Sequence, residues 1–160
     1  MRAQQGMTLL ETLVAMAIMT VMIGWFIPSL QQGHADRLLD AQMRDVQALI
    51  QQAQMASLDH GRPWTLCGSH DGRHCDGRWD HLLVLDASGH VRYRTRKHDH
   101  IHLYWKGLSP ALVFHPRLSS STLNGTFYFC HAQKARRLIV NRLGRMRFQE
   151  IDKNDCRTSP

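Results

Sequence analysis

The sequence predicts an α+β fold in which one long N-terminal helix lies across antiparallel sheet. Three observations predict it. From Met7 to Ile27 the only ionisable side chain is Glu11, so the chain opens on an apolar segment. Past Pro28 the pattern becomes amphipathic and continues to Gly61. Beyond it, short runs rich in β-branched and aromatic residues alternate with Gly, Pro, Ser and Asn. A helical opening followed by strands places the helix over one sheet face.

The apolar segment comes first. At 1.5 Å rise per residue it makes a helix of roughly 31 Å, close to the hydrocarbon thickness of a bilayer. A cleavable secretory signal would end in a small-residue A-x-A site, and none follows here. Gly6 precedes the segment instead, while Pro28 and a polar helix follow it. A carboxylate within a membrane helix costs about 2.5–3.5 kcal/mol at mid-bilayer and less near an end, which makes Glu11 a candidate functional residue; the plain alternative is an anchor helix whose Glu11 reaches the headgroups. Arg2 ahead of the segment favours a cytoplasmic start and an exported remainder.

In the second helical stretch, Leu39, Val46, Leu49, Ala53 and Ala56 fall on one face, and Gly61 is a natural stop. The strand runs are "WTLC", "HLLVLD", "HVRYR", "IHLYW", "LVFH", "GTFYFC", "RRLIVN" and "RMRFQEI". "DASG" and "NRLG" read as hairpin turns.

The formal charge of +7, with eleven histidines left uncounted, favours acidic partners and says nothing of fold. The four cysteines Cys67, Cys75, Cys130 and Cys156 all lie beyond the apolar segment, where an oxidising compartment makes disulfides. Three connectivities are possible; the spacing favours Cys67–Cys75 as a short loop and Cys130–Cys156 as a tie from tail to body. Each stabilises by about 2–4 kcal/mol. In "CGSHDGRHC", Cys67, His70, His74 and Cys75 could also supply a zinc site. Adjacent His74 and Cys75 chelate awkwardly and a disulfide would consume both sulfurs, so no metal or other cofactor is expected. "KHDHIH" sets His98, His100 and His102 on one side of an extended segment, read as a solvated strand edge. Trp64, Trp79, Tyr93, Tyr104 and Trp105 are read as core. No G-x-S-x-G, H-E-x-x-H or Gly-rich phosphate loop occurs, and an enzyme is not expected.

"QQGMTLLETLVAMAIMTVMI" resembles the class III leader of type IV prepilins: a short polar peptide ending in glycine, an apolar helix, and a glutamate five residues into the mature chain. The resemblance implies a leader over 1–6, a transmembrane and assembly helix over 7–28, and a periplasmic globular domain over 29–160. It implies cleavage by a prepilin peptidase after Gly6 and N-methylation of Met7, which stands where phenylalanine is usual. Glu11 would neutralise a neighbouring subunit's terminal amine in a filament, and Pro28 falls where many pilins kink. The implied fold is the type IV pilin fold. The implied location is the inner membrane, single-pass, and then the pilus, with other major and minor pilins as partners.

A narrower resemblance, to the FimT/GspH-type minor pseudopilins, runs through "GRPWTLC", "GRWDHLLVLD", "LVFHP", "GTFYFC" and "RRLIVNRLGRMRF". From Cys130 onward there are eight Lys/Arg against three acids, and "KARRLIVNRLGRMRF" contains no acid. On a strand, Arg145 and Arg147 share a face at roughly 6.6 Å spacing, and each can fork a phosphate. Met146 and Phe148 are expected to face the core. Gly144 permits a tight turn and leaves room for an approaching backbone. Arg142, Lys134, Arg136 and Arg137 are expected to widen the positive surface. "GRMR" matches the GRxR motif that carries DNA binding in FimT-like proteins of naturally transformable bacteria. It implies sequence-independent DNA binding in support of transformation. Against that stand a plain solvated strand face, pairing of the arginines with Glu150, Asp152 or Asp155, and a purely structural role as a priming minor pilin or as the H-type pseudopilin of a type II secretion system.

Overall fold

The structure is a computed structural model. It describes residues 8–95, 100–117, 123–132 and 134–156, with the backbone alone for 24–32 and 153. Gly6, Met7 and His98 lie outside the described residues, as does the side chain of Pro28. Helix α1 runs Leu9–His60. The chain divides into two compact units, 1–35 and 36–160.

In the first unit Thr8 caps the helix. The Glu11 amide donates to Thr8 Oγ1 at 3.4 Å and to the Thr8 carbonyl at 3.1 Å. Thr8 and Glu11 thus hold the capping-box positions, with the acid in the first turn where the helix dipole favours it. Thr12 and Thr20 return their hydroxyls to carbonyls of the preceding turn, both at 2.8 Å. With those hydroxyls satisfied, the surface of this segment is apolar, and its large side chains from Leu9 to Ile23 are all exposed. Among the described residues, no helix is long and apolar enough to cross a membrane.

Among the described residues, the second unit is built from the rest of α1, eight strands and a short 3-10 turn at Lys153–Cys156. The strands are β1 (Trp64–Ser69), β2 (His81–Leu85), β3 (Val91–Arg94), β4 (His102–Gly107), β5 (Ala111–Phe114), β6 (Gly125–Cys130), β7 (Ala135–Val140) and β8 (Met146–Ile151). They form two four-stranded sheets, in the orders β3-β2-β1-β5 and β4-β6-β7-β8. All pairings within them are antiparallel. Each strand lies within a residue or two of its expected run, because turn residues bracket every one of them.

Leu39, Met43, Val46, Leu49, Ile50 and Ala53 bury the inner face of α1, and Ala56 packs at its margin. Gly61 follows the last helical residue at φ 61°, a left-handed stop that only glycine adopts without strain. Phe114, Phe127, Phe129, Leu112 and Leu138 fill the sheet side of the core. Trp79 meets Phe127 edge-on at 5.2 Å, and Trp105 lies 4.5 Å from the same ring, so the connection between β1 and β2 packs on the second sheet through aromatic contact. Trp64 and Trp79 are buried as expected. Tyr93 is 42% exposed on an edge strand, and Tyr104 stands on the outer face of its sheet rather than in the core.

Two disulfides, Cys67–Cys75 and Cys130–Cys156, have the connectivity the spacing favours. The first closes a loop in which His70 pairs with Asp80 at 2.6 Å and His74 with Asp71 at 2.8 Å. Its sulfurs are bonded to each other, so Cys67 and Cys75 present no thiolate.

Along β7 the inward positions are Arg136, Leu138 and Val140. The two apolar ones vanish into the core, and Arg136 meets the acids of α1. Arg136 binds Asp40 and, at 3.1 Å, Asp36; Lys134 binds Asp36 at 2.6 Å. The Lys134 hydrogen bond chiefly holds the Asp36 carboxyl below its ordinary 3.8; partial burial opposes it, and the charges of Lys134 and Arg136 add to it. A depressed carboxylate contributes stability above its unfolded pKa and loses it as pH falls through the folded value. Thermal unfolding of the full chain in detergent should therefore show a midpoint that drops as pH falls below about 4. Asp36→Asn should lower that midpoint only slightly at pH 7, as for a partly exposed ion pair, and flatten the acid limb.

Candidate nucleic-acid interface

The β7–β8 hairpin is built by one side chain. Asn141 Oδ1 accepts from the amides of Leu143, at 3.0 Å, and Arg145, at 2.9 Å. The Gly144 amide donates to the Asn141 carbonyl at 2.9 Å, and Asn141 and Arg145 close the ladder at 3.0 Å. This is a three-residue loop with a left-handed third position, which Gly144 fills at φ 76°. "DASG" is built in the same way around Asp86, with Gly89 at φ 79°.

Gly144 is buried, and a Cβ there would lie 3.1 Å from Gln54 Oε1 on α1. The space it leaves faces the protein's own helix, so it is not clearance for an approaching backbone. The turn rests directly on α1.

From this turn Arg145 and Arg147 both emerge exposed, on the outer side of β8. Among the described residues neither has an ion pair. Arg142 is exposed in the turn itself. Arg137 also faces outward, its Nε and Nη2 donating to Gln149 Oε1 at 3.0 and 2.7 Å. Lys134 and Arg136 depart from expectation. They turn inward to Asp36 and Asp40, so two of the cations expected to widen the surface are neutralised by the helix. The alternation of β7 separates Arg136 from Arg137. Phe148 departs as well. It shares the inner face with Met146, but β8 is an edge strand, and the side chain stays 46% exposed.

Sequence reasoning missed the outer face of this sheet. Tyr104 and Tyr128 pair across β4 and β6, their rings stacked at 4.8 Å and 6°. The Tyr104 hydroxyl donates to the Asp155 carbonyl oxygen at 3.2 Å. Burial first, then Tyr128 and Asp155, pushes the Tyr104 phenol up, so it remains a neutral donor. The period-two spacing of Tyr104 with Lys106 and of Tyr128 with Thr126 was the available signal, since those polar partners mark an outward face.

In the first unit Glu11 is exposed among apolar side chains, with no ion partner among the described residues.

The chain belongs to the family described as "Type II transport protein GspH", whose model matches residues 42–144. Residues 1–27 match the "Prokaryotic N-terminal methylation motif". No curated protein sequence matches it as a relative.

Among solved structures, the type IV minor pilin FimU of Pseudomonas aeruginosa is similar in two crystal forms, both 20% identical, with TM-scores of 0.50 and 0.52. These alignments cover 69% and 74% of this chain and 91% of FimU. The minor pseudopilin EpsH from the Type 2 Secretion System of Vibrio cholerae is 12% identical, with a TM-score of 0.52 over 69% of this chain and 95% of EpsH. At such identities the likeness is one of fold. The chain is a minor pilin or pseudopilin, a structural class that associates with other pilins and not a family of enzymes.

Gly144→Ala should cost about 1–2 kcal/mol from the left-handed backbone, plus the contact with Gln54. Denaturant unfolding of the full chain should detect both parts. Adding Gln54→Ala should recover only the steric one.

Proposed function

We propose that this minor pilin is cleaved after Gly6 by a prepilin peptidase and methylated on Met7. Before assembly it crosses the inner membrane once through its apolar helix. It enters a filament with Glu11 answering a neighbour's terminal amine, and at the cell surface it binds DNA without sequence preference to support natural transformation. The observation that supports the last step is the pair Arg145 and Arg147. They are exposed on a hairpin fixed to α1 and lack acid partners among the described residues, in a sequence of formal charge +7. Clustered cations on a rigid strand attract phosphate whatever the base sequence, and such binding weakens with salt.

A second reading has its own observation. The GspH match ends at residue 144, before either arginine, and so rests wholly on the scaffold. On that reading the chain is a structural pseudopilin of a type II secretion system, or a priming pilin, and binds no DNA.

Titration of the full chain in detergent with labelled duplex DNA at two salt concentrations separates the two. Arg145→Gln with Arg147→Gln should weaken binding and reduce the magnitude of the salt slope by roughly 2. Unchanged affinity removes the DNA assignment. Deletion of the gene should abolish DNA uptake with pilus number intact, whereas loss of secretion alone favours the second reading.

A further inference from the structure

The outer face of β4-β6-β7-β8 has a composition that duplex binding alone does not require. Its strand register sets two rows across four strands. One row is Tyr104, Tyr128, Arg137 and Gln149; the next is Lys106, Thr126, Ile139 and Arg147. Neither row contains an acid. Every side chain in them is exposed or half-buried, whereas the alternate residues Leu103, Phe127, Phe129, Leu138 and Val140 are buried. The cations Lys106 and Arg147 stand at opposite edges, roughly 14 Å apart at about 4.8 Å per strand. Arg137 sits between them in the neighbouring row, held by Gln149 beside Tyr128.

The stacked tyrosines are the telling element. Their rings lie parallel at 4.8 Å, each covering one π-face of the other, and Tyr104 stands on the edge strand β4, with no strand beyond it. The Tyr104 hydroxyl bond to the tail fixes the orientation of its ring. A half-exposed aromatic pair at a sheet edge, in rows that also carry guanidinium and ammonium groups, fits a polyanion that can offer an unpaired base. Duplex DNA cannot do so, because its bases are already stacked on one another.

We propose that this face is a platform for single-stranded DNA, with bases extending the Tyr104–Tyr128 stack and phosphates meeting Lys106, Arg137 and Arg147. The proposal rests on the DNA-binding reading above and specifies the form of DNA that the site prefers. The hairpin arginines serve both forms of DNA; the tyrosines serve only the unpaired one.

The test uses the full chain in detergent, with a labelled oligodeoxythymidine and a duplex of equal length. The wild-type protein should bind the single strand more tightly. Tyr104→Leu with Tyr128→Leu should lower single-strand affinity by roughly tenfold or more and leave duplex affinity unchanged. Tyr104→Phe keeps the ring, loses the bond to Asp155 and should retain single-strand binding. As a measurement that needs no variant, photo-crosslinking of a bromodeoxyuridine-substituted oligonucleotide to the wild-type protein should label the Tyr104 or Tyr128 peptide. Leucine variants that bind the single strand normally, or lose both forms alike, overturn the platform, and so does crosslinking confined to other peptides. Failure of the hairpin reading is separate: Arg145→Gln with Arg147→Gln would then leave duplex binding intact.

Discussion

Lys134 and Arg136 reach from the start of β7 to Asp36 and Asp40 on α1, two acids one helical turn apart. This contact sets which residues of β7 face the helix. With Arg136 inward, Leu138 and Val140 follow into the core, while Arg137 and Ile139 go outward. A slip of one residue would bury Arg137 and expose Leu138, because side chains alternate with period two. β8 takes its register from β7 through the Asn141 turn, so Arg145 and Arg147 owe their outward direction to an ion pair at the far end of the preceding strand. The charged contact thus stabilises little as an isolated surface pair would, yet it excludes the wrong pairing.

Most of the architecture was legible in the sequence, for definite reasons. The helix face was readable because Leu39, Val46, Leu49 and Ala53 recur at helical spacing. The hairpins were readable because Asp86–Gly89 and Asn141–Gly144 carry the acceptor and the glycine that this loop demands. Both disulfides followed from spacing, since one pair is close in sequence and the other spans a hairpin. Sequence did not reveal which cations are spoken for. Asp36 and Asp40 lie about a hundred residues from Lys134 and Arg136, and only the fold brings them together. Nor does sequence place Gln54 against Gly144, because Gln54 is equally remote. The alternation of Phe148 is that of a core residue, but alternation does not say where a sheet ends. Tyr104 and Tyr128 carry no sign of their outward face, because an aromatic on a strand gives none until its neighbours are known.

The chain divides labour along its length. Its first unit carries an apolar surface interrupted by a single acid, and it matches the N-terminal methylation motif. The second unit carries the family scaffold, and the basic hairpin extends just past the matched segment.

The Cys130–Cys156 bond joins residues 26 apart, and both strands of the basic hairpin lie between them. The hairpin is therefore part of a covalent ring and not a loose end of the chain. A load pulling outward on Arg145 or Arg147 divides between two arms, one returning through β7 to Cys130 and the other through β8 to Cys156 and across the sulfur bridge to the same strand. Peeling β8 away from its free end is blocked at the bridge. Pulling on this element would thus not unravel it, and a single cut anywhere in the ring would leave both pieces attached.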